Sequence, residues 1–205
     1  MARRKLSLCF GFFAVLLTLA VTCETGTAQP VRGGTLVAGL IAEPATLDTC
    51  SGAWNSAPFA GNILGSILET DENMKFVPGL AESWSVDPGN KTYTFNVRKG
   101  VKWHDGKPFT AQDVKFTFET FLPTYHIFGK YLKDTKVDIV SETKVVVKPG
   151  IWAPAIQLGR FASGDWSMYP KHLLEGGDFI KSDYRKAPIG TGPFKFKEWV
   201  RGSHI

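Results

Sequence analysis

Three sets of residues in this chain have types and spacings that could do chemistry. Trp103-His104-Asp105-Gly106 places an imidazole beside a carboxylate, the pairing that a general base and its orienting acid require. Neighbouring residues on a strand face opposite sides, and no Ser or Cys nucleophile motif accompanies the pair. A turn after a strand is therefore the better reading, and a secreted hydrolase using His104 and Asp105 is the rival one. Gly190-Thr191-Gly192-Pro193 resembles an anion nest, yet Pro193 has no N–H and the residues after it alternate like a strand where a phosphate site wants a helix N-terminus, so it is read as a structural turn. His104, His126, His172 and His204 are far apart, with neither His-x-x-x-His spacing nor a paired Cys, and they read as solvated or core histidines.

No Gly-x-Ser-x-Gly elbow, P-loop, Rossmann glycine fingerprint or Cys-x-x-Cys pair occurs. The expectation is a non-enzymatic protein with no catalytic residue, no metal site and no cofactor. Six tryptophans offer stacking surfaces instead. Trp84 and Trp103 sit in a hairpin pattern and are expected to pack its core, whereas Trp54 and Trp166 lie in loop-like stretches and are better placed to line a cleft.

Composition narrows the class further. The 205 residues carry 24 Lys+Arg against 19 Asp+Glu and are 43% hydrophobic, enough for a core without disulfide or metal staples. Arg3, Arg4 and Lys5 precede an apolar run from Leu6 to Val21 that is shorter than the ~20 residues of a membrane span. With small residues at Gly26-Thr27-Ala28, residues 1–28 read as a secretory signal peptide cleaved after Ala28, which predicts a periplasmic protein. Ala20-Val21-Thr22-Cys23 matches a lipoprotein box only loosely, because Thr22 stands where a smaller residue is favoured; a lipid anchor at Cys23 is the minority alternative. Removing the segment leaves 21 basic and 18 acidic residues, a net charge of +3 with no basic run, so no nucleic-acid partner is expected. It also leaves Cys50 as the one remaining cysteine, read as a small buried residue.

The elements that must position these residues show in the hydrophobic pattern. Thr35 to Ile41 is a short β-branched apolar run that predicts a buried strand. Phe59, Ile63, Leu64, Ile67 and Leu68 recur at helical spacing over 56–68. Trp84 to Val86 and Lys91 to Arg98 flank Asp87-Pro88-Gly89-Asn90 and predict a β-hairpin; Lys136 to Val140 and Lys144 to Lys148 predict a second. Thr110 with Asp113 forms an N-cap signal for a helix carrying Val114, Phe118, Phe121 and Leu122, with Pro123 expected to end it. Pro193 to Trp199 alternates as a half-buried strand for which the remaining residues supply no partner.

These blocks together resemble a known family. Arg32-Gly33-Gly34-Thr35-Leu36, Glu43-Pro44 with Leu47-Asp48, the segment Pro78 to Glu119, and Ile189-Gly190-Thr191-Gly192-Pro193-Phe194 are similar, in order, to the family 5 solute-binding proteins of bacterial ABC importers. These are periplasmic receptors for peptides, oligopeptides and nickel. The resemblance implies an α/β fold of the type II periplasmic-binding-protein kind, a mixed-sheet lobe with an inserted small α/β subdomain. By it, residues 29–48 begin lobe I, 49–187 form the inserted subdomain and return path, and 188–205 re-enter lobe I, with the second lobe absent. The expected partners are a peptide or other small solute and an inner-membrane ABC permease, the receptor being a monomer. The loop Thr49-Cys50-Ser51-Gly52-Ala53-Trp54-Asn55 would line the ligand cleft, with Thr49, Cys50, Ser51, Trp54 and Asn55 as contacts and Asp165 and Trp166 as a second group.

Overall fold

The computed structural model describes residues 33–50, 52 and 54–205, with Trp54 described by its backbone alone. The expected signal peptide, the Cys23 anchor and the candidate Ser51 lie outside the described residues.

A four-stranded antiparallel sheet is the framework. It is built from two hairpins, β3 (Ala81–Asp87) with β4 (Thr92–Val97) and β5 (Lys136–Ser141) with β6 (Lys144–Lys148), in the order β3-β4-β6-β5. Both follow the predicted hairpins. The first turn closes at Asp87↔Thr92, and the Asp87 carboxylate accepts from the backbone and side-chain N–H groups of Asn90 at 3.0 and 2.7 Å. Period-2 alternation puts Tyr93, Phe95, Val97, Val137, Val145 and Val147 on the buried face. A smaller two-stranded sheet joins β1 (Leu68–Thr70) to β2 (Phe76–Pro78).

The buried face meets helix α4 (Pro154–Ala162), whose Phe161 is edge-on to Tyr93 at 5.2 Å, Phe95 at 5.3 Å, Phe118 at 5.2 Å and Trp166 at 5.3 Å. Gln157, on the same helix and fully buried, accepts from the Tyr93 hydroxyl at 2.8 Å and donates to the Ile151 carbonyl at 2.8 Å. A buried amide answered on both ends fixes the rotation of α4 about its axis.

Between the hairpins runs a helical segment with three parts: α2 (Ala111–Phe116), a π-helical turn (Thr117–Phe121) and α3 (Leu122–Tyr125). The predicted N-cap is present as a capping box, Asp113 accepting from the Thr110 N–H at 2.8 Å and reaching the Lys171 N–H at 3.1 Å with its other oxygen. The expectation that Pro123 ends the helix is corrected. The π turn opens the carbonyl ladder where the proline ring would otherwise collide, and the helix continues to Tyr125.

Three other expectations change. The helix expected over 56–68 is α1 (Ala57–Ile63) alone, entered through a 3-10 turn at Trp54–Ser56 and followed by β1. Residues 33–40 form no strand, and Leu36 and Val37 are 93% and 87% exposed; strand propensity becomes a strand only when a neighbour takes the backbone hydrogen bonds. Pro193 to Trp199 is likewise no strand. Its Phe194 N–H goes to the Asn62 carbonyl at 3.1 Å, and Trp199 is held through its indole N–H, which donates to Glu43 at 2.7 Å.

The GTG turn is structural, as expected. The Gly192 N–H donates to the Ile63 carbonyl at the end of α1 at 2.9 Å. A Cβ on Gly190 would lie 1.8 Å from the Ile63 carbonyl oxygen, and one on Gly192 2.5 Å from that of Asn62. Gly190→Ala is expected to cost about 3 kcal/mol, since the obstacle is backbone and cannot swing away. Phe95→Ala and Trp103→Ala should each cost about 3–5 kcal/mol and Lys195→Ala nearly nothing. Urea-unfolding midpoints of the four variants check this, and equal small losses would contradict the core assignment.

Candidate functional site

The loop Leu47 to Cys50 is anchored by a buried ion pair. Asp48, fully buried, accepts from Arg185 Nε at 2.9 Å and from the Cys50 N–H at 2.8 Å, while the Leu47 N–H donates to the Arg185 carbonyl at 2.7 Å. Tyr169, stacked on Phe121 at 4.1 Å, brings its hydroxyl to the same loop. It lies 3.0 Å from Thr49 Oγ1 and accepts from the Cys50 thiol at 3.3 Å. Burial pushes the Cys50 thiol far up, and the Tyr169 hydrogen bond offsets only part of that, so Cys50 has no thiolate character.

Next to this loop is a cavity of about 420 Å3. Thr49 and Gly52 line it together with Ala57 and Gly61 of α1, which we take as its floor, and with Ile127 and Phe128 after α3. The Ile127 N–H donates to the Cys50 carbonyl at 3.1 Å, tying that segment to the loop. Gly52 is left-handed at φ 65°, and a Cβ there would meet Ile127 Cδ1 at 2.2 Å. A larger hollow of about 620 Å3 lies elsewhere, among the turn residues Arg98, Lys99, Glu142 and Thr143, and holds none of the candidate contacts.

The polar end of the cavity is Arg160, from the last turn of α4, and Asp165, just beyond it. The two form an ion pair, and the guanidinium lies 3.7 Å over the Phe128 ring. His126 stands behind Asp165, its Nε2 3.3 Å from the carboxylate and its side chain wholly buried. The Phe128 N–H donates to His126 Nδ1 at 3.0 Å, so the proton is on Nε2. Burial first, then the Arg160 charge, push this imidazole down to about 4, against an upward pull from Asp48.

Of the sequence candidates, Thr49 and Asp165 line this cavity. Cys50 and Trp166 are core residues, 2% and 0% exposed, and the Asn55 amide is spent on the Glu43 carbonyl at 2.9 Å. The side chain of Trp54 lies outside the described residues. Sequence reasoning missed Arg160, Phe128 and Gly61, which meet the loop only through contacts between distant segments. Nor do His104 and Asp105 form a dyad. His104 accepts from the Gly190 N–H at 3.3 Å and donates from Nε2 to the Gly192 carbonyl at 2.9 Å, clamping the GTG turn. Asp105 pairs with His172 at 2.7 Å instead; burial raises its pKa, but the His172 and Lys107 hydrogen bonds outweigh that and hold it below the ordinary carboxylate range. Among the described residues, no three His, Cys, Asp or Glu side chains gather as metal ligands.

The model of the family 5 bacterial extracellular solute-binding proteins, middle region, matches residues 75–205. The chain belongs to this family. It is 33% identical to the oligopeptide-binding protein AppA of Bacillus subtilis, over 100% of this chain and 41% of that one, and 34% identical to the dipeptide-binding protein of Escherichia coli, over 74% and 32%. The family 5 chain thus spans about two fifths or less of these relatives' length. The structure of B. subtilis AppA in complex with a nonapeptide superposes on 85% of it with a TM-score of 0.74 at 31% identity. NikZ of Campylobacter jejuni, in complex with Ni(L-His), superposes on 78% with a TM-score of 0.67 at 30% identity. These neighbours are type II periplasmic binding proteins, so the mixed α/β fold is the one the resemblance implied.

A neutral buried imidazole makes stability depend on acid. The folded-state value near 4 lies below the ordinary 6.5, so the unfolded chain binds the extra proton between them and stability falls as pH drops through that window. The loss attributable to His126 should approach about 3 kcal/mol by pH 4. Urea midpoints between pH 7 and 4 should converge for the chain and His126→Phe, the variant losing less; parallel curves would contradict the assignment.

Proposed function

We propose that this chain forms the ligand-receiving part of an extracytoplasmic solute receptor that delivers a peptide or other small solute to an ABC permease in the inner membrane. The observation that carries this reading is the cavity, where the Thr49 loop, α1, the Ile127-Phe128 wall and the Arg160–Asp165 pair converge. Such a place, mostly apolar with a few converging polar groups, suits a bound solute. Membership in a family of binding proteins, and the commitment of both His104 ring nitrogens to the GTG turn and of Asp105 to His172, favour capture over catalysis. The peptide-binding relatives favour a peptide-like solute, and residues 1–28 would direct export.

Within the receptor, residues 29–48 and 188–205 are assigned to lobe I and 49–187 to the inserted subdomain. Ties between the two ends support this: Trp199 and Gly202 bond Glu43, and Arg201 bonds the Pro44 carbonyl. Tight binding in this reading comes from closure of a second wall over the solute, which stabilises the closed state through contacts on both sides. The 205 residues supply one wall only.

Their own affinity for di- and tripeptides is therefore expected in the millimolar range. An 15N–1H NMR titration should move the amides of Thr49, Gly52, Ile127 and Asp165. Shifts confined to other parts of the chain would overturn the assignment of the cavity, and micromolar affinity would overturn the requirement for closure.

A further inference from the structure

Gly61 is an odd residue for its place. It lies inside helix α1, where glycine costs about 1 kcal/mol relative to alanine. Gly190 and Gly192 are required by backbone oxygens that a Cβ would strike, but a Cβ on the exposed Gly61 meets nothing within 4 Å among the described residues, and its φ is not left-handed. No described residue requires this side chain to be missing. What the missing side chain leaves open is the floor of the cavity, beside Ala57 one turn earlier.

The same cavity presents polar capacity that the described residues do not use. Arg160 lines it with a side chain that is 21% exposed, and among the described residues its guanidinium donates only to Asp165, through Nη1. The remaining N–H groups of a guanidinium that a solute covers call for an acceptor. Arg160 and Asp165 cancel each other's charge, so the cavity attracts neither a free carboxylate nor an ammonium, and the apolar pair Ile127 and Phe128 lines it beside Arg160.

Resting on the receptor reading, we infer that Gly61 is a specificity-determining position: the α1 floor receives an uncharged apolar side chain of the solute, while a neutral acceptor such as an amide carbonyl meets Arg160. A side chain grown from position 61 would occupy the solute's place without disturbing the fold.

The test uses the full chain, the dipeptides Gly-Phe and Gly-Gly at millimolar concentration, and the variants Gly61→Ala and Gly61→Leu. Gly61→Ala should raise Tm by about 2–4 °C, the return of helix propensity in a chain of this size. Gly-Phe should move the amides of residue 61, Ile127 and Gly164 far more than Gly-Gly does, and Gly61→Leu should weaken that response about tenfold or more. A lowered Tm in Gly61→Ala would show that the fold itself needs the glycine and would overturn the inference. So would an undiminished Gly-Phe response in Gly61→Leu, or equal responses to the two dipeptides, both of which leave the receptor reading standing. If neither dipeptide moves any cavity amide of the unaltered chain, the inference and the peptide-receptor reading fall together.

Discussion

Helix α1 ends at Ile63 with carbonyls that no helical N–H can reach, and the chain answers them with the backbone of the GTG turn. The Gly192 N–H takes the Ile63 carbonyl and the Phe194 N–H takes that of Asn62, a replacement for the usual C-cap that comes from a distant part of the sequence. Approach this close needs the bare α-carbons of Gly190 and Gly192. His104 holds the turn from the other side, using both ring nitrogens. Because Ala57 and Gly61 form the floor of the cavity, this docking sets where that floor lies. The His-Asp-Gly sequence that first suggests chemistry is thus part of the scaffold.

A second constraint positions the facing loop. Asp48 and Arg185 are an ion pair with the carboxylate fully buried, an arrangement whose Coulombic gain is largely offset by desolvation. Its contribution is better seen as geometric. With one carboxylate oxygen on Arg185 and the other on the Cys50 N–H, the loop has one register, and the Tyr169 hydroxyl fixes the Thr49 side chain within it. Tyr169 is held in turn by Phe121 and by the Thr117 hydroxyl, which accepts its N–H at 3.1 Å, both residues of the π-helical turn. The irregular turn and the loop that lines the cavity are therefore joined through Tyr169.

What could be read from the sequence divides along the same line between local and distant. Both hairpins and the Thr110 cap rest on residues within a few positions of one another, where alternation, turn chemistry and capping act directly. Thr49 and Asp165 could be named only through the family resemblance, which puts their loops beside the expected cleft, and the sequence held no sign that Arg160 lies against Asp165 with Phe128 under it. Strand character at 35–41 and 193–199 was misjudged for one reason. A strand is a relation between two segments, and β-branched or alternating residues announce a willingness to pair without naming a partner. The π turn was missed because the usual rule for proline assumes an unbroken α-helical ladder.

On the proposed receptor reading, the Arg160–Asp165 pair gives a reason for enclosure, more than charge, to govern binding. Both side chains are partly exposed, and in water two unit charges 4 Å apart interact by only about 1 kcal/mol, rising to about 4 kcal/mol at an effective dielectric of 20. A solute that covers the cavity expels that water and strengthens the existing pair before adding any contact of its own. It also closes off the solvent around the partly exposed Arg160 guanidinium, and an N–H left unmet then costs about 1–3 kcal/mol. The apolar walls accept many shapes, but a solute without an acceptor at that point gives back much of what burial contributes. On the proposed receptor reading, selection at this site would thus depend on one neutral hydrogen bond made inside the cavity, with the ion pair beside it as a fixed reference that the solute neither breaks nor joins.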